Sequence, residues 1–315
     1  MLSLIGVRAD AQFAPTSTLF IKITPDFPEP GVNVTAELIS YNTDLDLASI
    51  TWTLDGKVIL TGAGSKQVSF TSASIGSKNT LKAVAIDPGG QTYQTSIIIR
   101  PARVTMLIEA KSRVPVWYKG AALPSADGRV LVTAVPEFYS GASKINPALL
   151  IYEWRVDGEI KRGLSGKGKQ NISVLAPGAG STPKDIEVKI SSSDGTMKQQ
   201  GFASIKPYPV ELLFYERSSS GLITSGAIKT KVISPGTKFE VEAVPFFVNY
   251  QSSSDLSYSW RQNGNSISPL SGRPQALSVE ALSGTGGEGA QIDVIITNAK
   301  NIFEKIYNYF DVEVK

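Results

Sequence analysis

One short pattern occurs three times in the 315-residue chain and limits what the chain can fold into. A tryptophan is followed three residues later by Asp-Gly or Asn-Gly, at residues 52–56, 154–158 and 260–264. Asp-Gly and Asn-Gly accept positive φ at both central positions of a type I′ turn. Each copy therefore predicts a strand with a large aromatic anchor that runs directly into a two-residue hairpin.

Four further sequence patterns occur at similar distances from each tryptophan. The chain is therefore a three-fold repeat with a period of roughly 100 residues. Each unit opens with a short apolar run, followed by a glycine and an alternating strand. An apolar-Ser-apolar strand and a strand that begins with valine come after the tryptophan. The opening apolar runs are residues 19–21, 106–108 and 212–214, and the strands led by glycine are residues 31–36, 128–134 and 236–243. The apolar-Ser-apolar strands are residues 68–70, 172–174 and 277–279, and the strands that begin with valine are residues 84–86, 188–190 and 294–296.

The strand pattern predicts the fold of each unit. About seven short strands separated by Gly, Pro, Asn, Asp and Ser turns are typical of a two-sheet β-sandwich. No window has a helical apolar period, and the 28 glycines and 18 prolines suit many turns. The tryptophan lies on the third predicted strand, where it would fill the core between the sheets. Trp52, Trp154 and Trp260 are thus the predicted core anchors.

This pattern resembles the PKD-like and bacterial immunoglobulin-like domains of surface proteins. The residues that carry the resemblance are Trp-x-x-Asp-Gly and, about 30 residues later, a short strand with a polar turn. It covers all three units from about residue 15 and implies an all-β chain of three tandem immunoglobulin-like (PKD-like) β-sandwiches. It also implies secretion and a role in adhesion, spacing or surface assembly in bacteria or archaea. Leu54, Val156 and Gln262 depart from the usual PKD pattern of Gly or Asn before the turn, which limits the assignment to the broad superfamily.

The repeat predicts three domains at residues 13–101, 102–207 and 208–315, called units 1, 2 and 3 below. Residues 1–12 are predicted to be the remnant of a signal peptide, since residues 2–7 are apolar and residues 9–11 have the small-x-small form of a signal-peptidase site. Pro101 and Pro207 lie at junctions without a Gly/Ser linker, which predicts an extended, stiff rod. No segment approaches the ~20 apolar residues of a membrane span.

The amino-acid composition argues against most kinds of catalytic, metal-binding and nucleic-acid-binding site. The chain contains no cysteine and no histidine, which excludes disulfides and thiol nucleophiles and removes the commonest general base and zinc ligand. The net charge of +3 is spread along the chain, too weak a footprint for nucleic-acid binding. We therefore expect no enzymatic activity, no catalytic or metal-binding residues and no cofactor.

Units 2 and 3 are longer than unit 1 before the tryptophan, and extra loops on a scaffold often carry function. In unit 2 the extra segment holds Trp117 and Tyr118. These rings are predicted to stack on a sugar or form a partner hot spot; alternatively, one ring packs in the sandwich or at the junction with unit 1. In unit 3, Phe246, Phe247 and Tyr250 follow the second strand. They form either an exposed partner patch or a strand end with one ring buried.

The predicted fold, the composition and the candidate contact residues together suggest three functions. The first is a non-enzymatic adhesion or spacer module at a cell surface. The first alternative is a structural subunit of a surface filament or layer, favoured by open, uncharged edge strands. The second is a carbohydrate-binding accessory protein, favoured by exposed aromatic rings. The expected partners are correspondingly a protein or glycan at a cell surface, or a second copy of the chain.

Overall fold

The structure, a computed structural model, describes residues 19–223, 226–250, 252–284, 286–299 and 301–315, without the side chains of residues 301–304. The predicted signal-peptide remnant, residues 1–12, lies outside the described residues. The fold is all-β, with short 3₁₀ turns at Pro147–Leu149, Arg162–Leu164 and Ser253–Asp255. No described helix is long and apolar enough to cross a membrane.

Unit 1 is a sandwich of two antiparallel sheets. Strands β1, β2 and β5 form one sheet, in the order β1-β2-β5, and the other has the order β4-β3-β6-β7. The strands are β1 (Leu19–Thr24), β2 (Asn33–Ser40), β3 (Ser49–Leu54), β4 (Lys57–Ala63), β5 (Gln67–Thr71), β6 (Asn79–Ile86) and β7 (Thr92–Ile99).

Unit 2 repeats this plan. One sheet has the order β15-β9-β8 and the other β13-β12-β16-β17, with β14 also paired to β12. The strands are β8 (Arg103–Ala110), β9 (Arg129–Glu137), β10 (Tyr139–Ser140), β11 (Ser143–Lys144), β12 (Ile151–Val156), β13 (Glu159–Ile160), β14 (Gly166–Lys167), β15 (Asn171–Leu175), β16 (Lys184–Ser191) and β17 (Lys198–Ile205).

Unit 3 adds a parallel pairing to the same plan. Its sheets have the orders β19-β18-β21-β24 and β20-β26-β25-β22-β23, and β20 pairs parallel to the end of β26. The strands are β18 (Glu211–Ser218), β19 (Gly221–Leu222), β20 (Thr230–Ile233), β21 (Lys238–Phe246), β22 (Leu256–Gln262), β23 (Asn265–Ile267), β24 (Ala276–Glu280), β25 (Gly289–Asn298) and β26 (Asn301–Val314).

The three units are therefore tandem immunoglobulin-like β-sandwiches. In each, the strand after the tryptophan hairpin pairs with the tryptophan strand itself, which gives three-on-four sheets in unit 1. Constant-type immunoglobulin domains differ, because their fourth strand joins the sheet that does not contain the tryptophan strand. Each unit has its own apolar core, and the three cores lie within the three predicted residue ranges.

The repeated tryptophan is at the centre of each core. Trp52, Trp154 and Trp260 lie on β3, β12 and β22 and are at most 2% exposed. Each indole N–H donates a hydrogen bond to a backbone carbonyl 13 to 15 residues later, at 2.7–2.9 Å. The acceptors are Ser65, Lys169 and Pro274. A buried indole N–H needs a partner, and in each unit the backbone carbonyl two residues before β5, β15 or β24 supplies it.

The Asp-Gly and Asn-Gly pairs form the predicted hairpins. Both residues of each pair have positive φ, between 48° and 83°. The aspartate or asparagine side chain also accepts a hydrogen bond, at 2.7–2.9 Å, from a backbone N–H at the start of the neighbouring strand. The donors are Thr80, Asp185 and Gln291. One short motif thus reverses the chain direction and joins the hairpin by a hydrogen bond to β6, β16 or β25.

Candidate functional site

The extra segment of unit 2 connects β8 to β9, between Lys111 and Gly128. The hydroxyl of Ser112 is buried and donates to the Leu123 carbonyl at 2.6 Å, which closes the base of the segment. Strand β8 starts at the unit 1 junction and ends at the opposite end of the sandwich. The segment therefore lies beside the beginning of unit 3.

Backbone hydrogen bonds join this segment to unit 3. The Arg113 N–H donates to the Val248 carbonyl and the Phe247 N–H donates to the Arg113 carbonyl, both at 2.8 Å. A third bond, from the Tyr208 N–H to the Pro124 carbonyl at 2.7 Å, fixes the connecting chain. The junction of units 2 and 3 is thus partly built like a β-ladder.

An apolar cluster, here called the junction cluster, lies on top of these bonds. Tyr215, Val244, Phe246 and Phe247 of unit 3 are buried in it. The side chains that pack against them are Val114, Trp117, Tyr118 and Leu123 of unit 2 and Leu213 and Leu222 of unit 3.

The rings of the junction cluster meet edge to face across the two units. Trp117 contacts Tyr215 and Phe246 at centroid distances of 5.2 and 5.7 Å. Tyr118 contacts Phe246 and Phe247 at 5.5 and 6.0 Å. Such pairs contribute about 0.5–1.5 kcal/mol each beyond the area they bury. The contacts therefore favour one fixed arrangement of units 2 and 3.

Phe247 has a strained backbone, with φ of 62°. Left-handed backbone is an outlier for a bulky side chain and costs about 1–3 kcal/mol. It persists here because the Phe247 N–H is bonded to unit 2 and its ring is buried in the junction cluster. The strain is a further sign that the junction determines the local structure.

A cleft of about 570 Å³ opens beside the junction cluster. Pro115, Val116 and Trp117 of unit 2 form one wall. The rest of the lining comes from unit 3 and includes Leu222, Glu242, Pro245, Tyr250, Ser253, Ser254, Tyr258, Pro274 and Gln275. The cleft, here called the junction cleft, exists only where the two units meet.

Among the described residues that line the junction cleft, a single side chain is charged, the Glu242 carboxylate. It accepts two hydrogen bonds from Arg217 through Oε2, at 2.6 and 2.8 Å. Burial raises the pKa of Tyr258, with smaller contributions from the nearby Tyr250 phenol and Glu242 carboxylate. Burial also raises the pKa of Tyr250. Both phenols are therefore uncharged at neutral pH.

The junction of units 1 and 2 is built differently. Arg103 forms exposed ion pairs with Glu29 of unit 1, at 3.3 Å, and with Glu137 of its own unit, at 3.6 Å. A Cβ built on Gly76 would meet the Gly141 carbonyl across the junction. The buried apolar clusters of the described residues include none that joins units 1 and 2. Exposed ion pairs contribute only about 0–1 kcal/mol.

The structure brings all five predicted contact residues to the unit 2–3 junction. Tyr118, Phe246 and Phe247 lie in the junction cluster, Trp117 lies in both the cluster and the cleft, and Tyr250 lines the cleft. The alternative placement at the junction with unit 1 is wrong, because the extra segment lies at the opposite end of unit 2. Neither phenylalanine forms an exposed patch; both are buried. Contact of these residues with an outside partner stays a prediction.

Sequence reasoning missed Tyr215, Glu242 and Tyr258. Tyr215 follows the inward-facing Phe214 on β18, and Glu242 occupies a polar position in alternating β21. Tyr258 alternates with Leu256 and Trp260 on β22, a signal for the core side of the strand. That alternation indicates burial but not the neighbouring cleft. Among the described residues, no group of three or more acidic side chains has a metal-binding arrangement.

No protein-family model and no curated protein matches the sequence. Among solved structures, the chain is similar to three N-terminal domains of the bacteriophage RB49 outer capsid protein Hoc, at 12% sequence identity and a TM-score of 0.27. The match covers 95% of this chain and 98% of the Hoc chain. Fibronectin(III)-like modules of Clostridium thermocellum CbhA are 14% identical, with coverage of 60% and 94% and a TM-score of 0.28. Sidekick-1 immunoglobulin domains 1–5 are 11% identical, with coverage of 95% and 60% and a TM-score of 0.24. The PKD-like part of the sequence assignment stays a prediction.

Proposed function

We propose that this chain is a non-enzymatic module of an extracellular surface protein, in which three immunoglobulin-like units serve adhesion or hold a partner away from the cell. The observation that carries the proposal is the junction of units 2 and 3. Three interunit backbone hydrogen bonds and a buried aromatic cluster join these units into one stiff segment. Stiffness is what a spacer needs, because a flexible chain loses reach as it coils.

The chemistry of the chain is consistent with this role. Neither cysteine nor histidine is present, and the cleft carboxylate is neutralised by Arg217. A general base or nucleophile needs a neighbour that activates it. The side chains at the junction instead supply rings and neutral hydrogen-bonding groups, which suit binding.

Location and attachment on cells that produce the protein test the proposal. Antibodies raised against units 1 and 3 are expected to label intact cells, and external protease is expected to remove the label. A strain without the gene is expected to lose attachment to its surface or partner cell. Label that appears only after lysis would contradict the extracellular part of the proposal. Unchanged attachment, together with surface label, would remove adhesion and leave spacing.

One observation favours the alternative of a filament or layer subunit. Strand β4 is the edge of its sheet, and it carries exposed Val58 and Ile59 with Lys57 as its one charged residue. Long, apolar edge strands pair readily with other chains. Electron microscopy over a concentration series distinguishes the two functions. Filaments that disappear in an Ile59→Lys variant would support assembly, and isolated particles at every concentration would exclude it.

A further inference from the structure

We propose that the junction cleft is a binding site for an uncharged oligosaccharide. The site goes beyond the spacer or adhesion role and does not depend on it. It combines three half-buried aromatic rings with several polar groups, which is the chemistry that a pyranose needs. A pyranose offers an apolar C–H face to a ring and hydroxyls, as donors and acceptors, around its rim.

The rings come from both units. Trp117 is held by its edge-to-face contacts to Tyr215 and Phe246, and Tyr250 and Tyr258 pack against the core of unit 3. Their positions are therefore fixed before a ligand arrives, which lowers the entropic cost of binding. Tyrosine and tryptophan are suited to such a wall because each combines an apolar body with a polar tip.

Several polar groups of the cleft have no hydrogen-bond partner within the described chain. They are the indole N–H of Trp117, the hydroxyls of Tyr250 and Tyr258, the Oε1 atom of Glu242 and the side-chain amide of Gln275. Burial raises the pKa of both tyrosines, so that each hydroxyl keeps its proton and both donates and accepts. A cleft lined by aromatic rings and a few polar side chains is typical of ligand sites.

The balance of donors and acceptors selects the class of ligand. Glu242 Oε1 accepts only, and the Trp117 N–H donates only. A proline-rich peptide also suits an aromatic groove, but its prolines lack the N–H donors that Glu242 needs. Glu242 is already paired with Arg217, and no other described side chain that lines the cleft is charged, so the cleft offers a charged ligand no unpaired countercharge. Sugar hydroxyls supply both kinds of group without charge.

The distribution of tryptophan provides the assay. Three of the four tryptophans are buried in cores, and only Trp117 lines the cleft. In the full chain labelled with 5-fluorotryptophan, ¹⁹F NMR resolves one signal per tryptophan, and a Trp117→Phe variant assigns the cleft signal. The probes are neutral gluco-, manno- and galacto-hexasaccharides at up to about 10 mM, where millimolar affinity is detected.

The expected result is a shift of the Trp117 signal with at least one hexasaccharide while the three core signals stay in place. Tyr258→Phe, which keeps the ring and removes the hydroxyl, is expected to weaken binding about tenfold, and Tyr250→Phe provides a second variant. Tyr309→Phe, which changes an exposed side chain of β26 outside the cleft, is the matched control and is expected to bind normally. Unmoved core signals in each variant show that it is folded.

Three results would overturn the site. One is the absence of any Trp117 shift with all three hexasaccharides. Another is equal affinity of both tyrosine variants and the unsubstituted chain. The third is a Trp117 shift caused by a proline-rich decapeptide and by none of the sugars, which would assign the cleft to a peptide partner.

Discussion

At the residue scale, each core depends on one indole ring and one hydrogen bond. Trp154 is fully buried on β12, and its N–H donates to the Lys169 carbonyl at 2.7 Å. The ring supplies the volume that separates the two sheets. The hydrogen bond ties the segment before β15 to that ring, so a single side chain links both sheets of unit 2.

Substitution of Trp154 separates these two contributions. Trp154→Ala leaves a large cavity and is expected to lower the free energy of unfolding of unit 2 by about 3–5 kcal/mol. Trp154→Phe keeps most of the volume but leaves the Lys169 carbonyl unpaired, with an expected loss of about 1–3 kcal/mol. Urea denaturation followed by circular dichroism measures both. Phe202→Ala, on the exposed face of β17, is the control, and equal losses in all three variants would contradict the role of the core ring.

A buried phenol gives unit 2 a dependence on alkaline pH. Tyr152 is buried beside Trp154, its hydroxyl donates to the Pro147 carbonyl at 3.0 Å, and burial raises its pKa from 10.0 to about 12. The folded state keeps this proton more tightly than the unfolded state. Its contribution is therefore fully present below pH 10 and is lost as the pH rises through 12.

We expect the melting temperature of unit 2 to fall between pH 10 and pH 12, and to fall less steeply in Tyr152→Phe. Differential scanning calorimetry across this range measures both slopes. Tyr41→Phe, in which an exposed tyrosine of unit 1 is changed, is the control for general alkaline effects. Parallel slopes for Tyr152→Phe and the unsubstituted chain would show that this phenol is not responsible.

At the element scale, the tryptophan hairpin is the repeated structural device. In unit 2 it joins β12 to β13, with Asp157 at φ of 52° and its carboxylate bonded to the Asp185 N–H at 2.9 Å. Unit 3 uses Asn263 at the same place, bonded to the Gln291 N–H. The turn needs a short side chain that tolerates left-handed backbone and accepts a hydrogen bond, and either residue meets that need.

The chain itself supplies the conservative variant for a test of this turn. Asp157→Asn is expected to change the stability of unit 2 by less than about 0.5 kcal/mol, because Asn263 shows that the amide oxygen suffices. Asp157→Ala loses the acceptor and with it the local hydrogen bond by which aspartate tolerates positive φ, with an expected cost of about 1–2 kcal/mol. The midpoints of urea denaturation rank the stabilities of the two variants and the unsubstituted chain. A tolerated alanine would mean that the hairpin does not depend on this side chain.

At the scale of the whole molecule, the two junctions differ in kind. Units 2 and 3 share buried rings and backbone hydrogen bonds, whereas Arg103 and Glu29 link units 1 and 2 through an exposed ion pair. Domains joined by small polar contacts move relative to each other by default. We therefore expect a stiff pair of units that carries a more mobile first unit, and not the uniformly stiff rod that the prolines at both junctions predict.

The absence of cysteine makes this expectation measurable by spin labelling and pulsed electron paramagnetic resonance. Labels at Lys198→Cys and Ser259→Cys, in units 2 and 3, are expected to give a narrow distance distribution. Labels at Ser96→Cys and Lys198→Cys, in units 1 and 2, are expected to give a broader one. Trp117→Ala is expected to broaden the first distribution by removing contacts to Tyr215 and Phe246.

Val116→Ala is the matched control for the rigidity test. Val116 neighbours Trp117 but is fully exposed, so its truncation is expected to leave the distribution narrow. Equally narrow distributions at both junctions, or no response to Trp117→Ala, would contradict the stiff pair.

Much of the fold was predictable from local patterns. The tryptophan, the Asp-Gly or Asn-Gly pair and the alternating strands act over a few residues, so they read directly as hairpins and buried faces in β3, β12 and β22. The candidate site was only partly predictable. Trp117 and Tyr250 are conspicuous in the sequence, but nothing local to residue 117 indicates that residues 215 and 246 lie beside it.

The sequence by itself determined that the chain folds as three immunoglobulin-like β-sandwiches with a tryptophan in each core, since turn chemistry and strand periodicity are local properties. Only the tertiary structure decided that the extra segment of unit 2 packs on unit 3, that Phe246 and Phe247 are buried there, and that a cleft with three aromatic rings remains. Those features depend on surfaces from residues about 100 or more positions apart. Which surfaces meet is determined by how the folded units can bury apolar rings together, and no window of sequence contains that information.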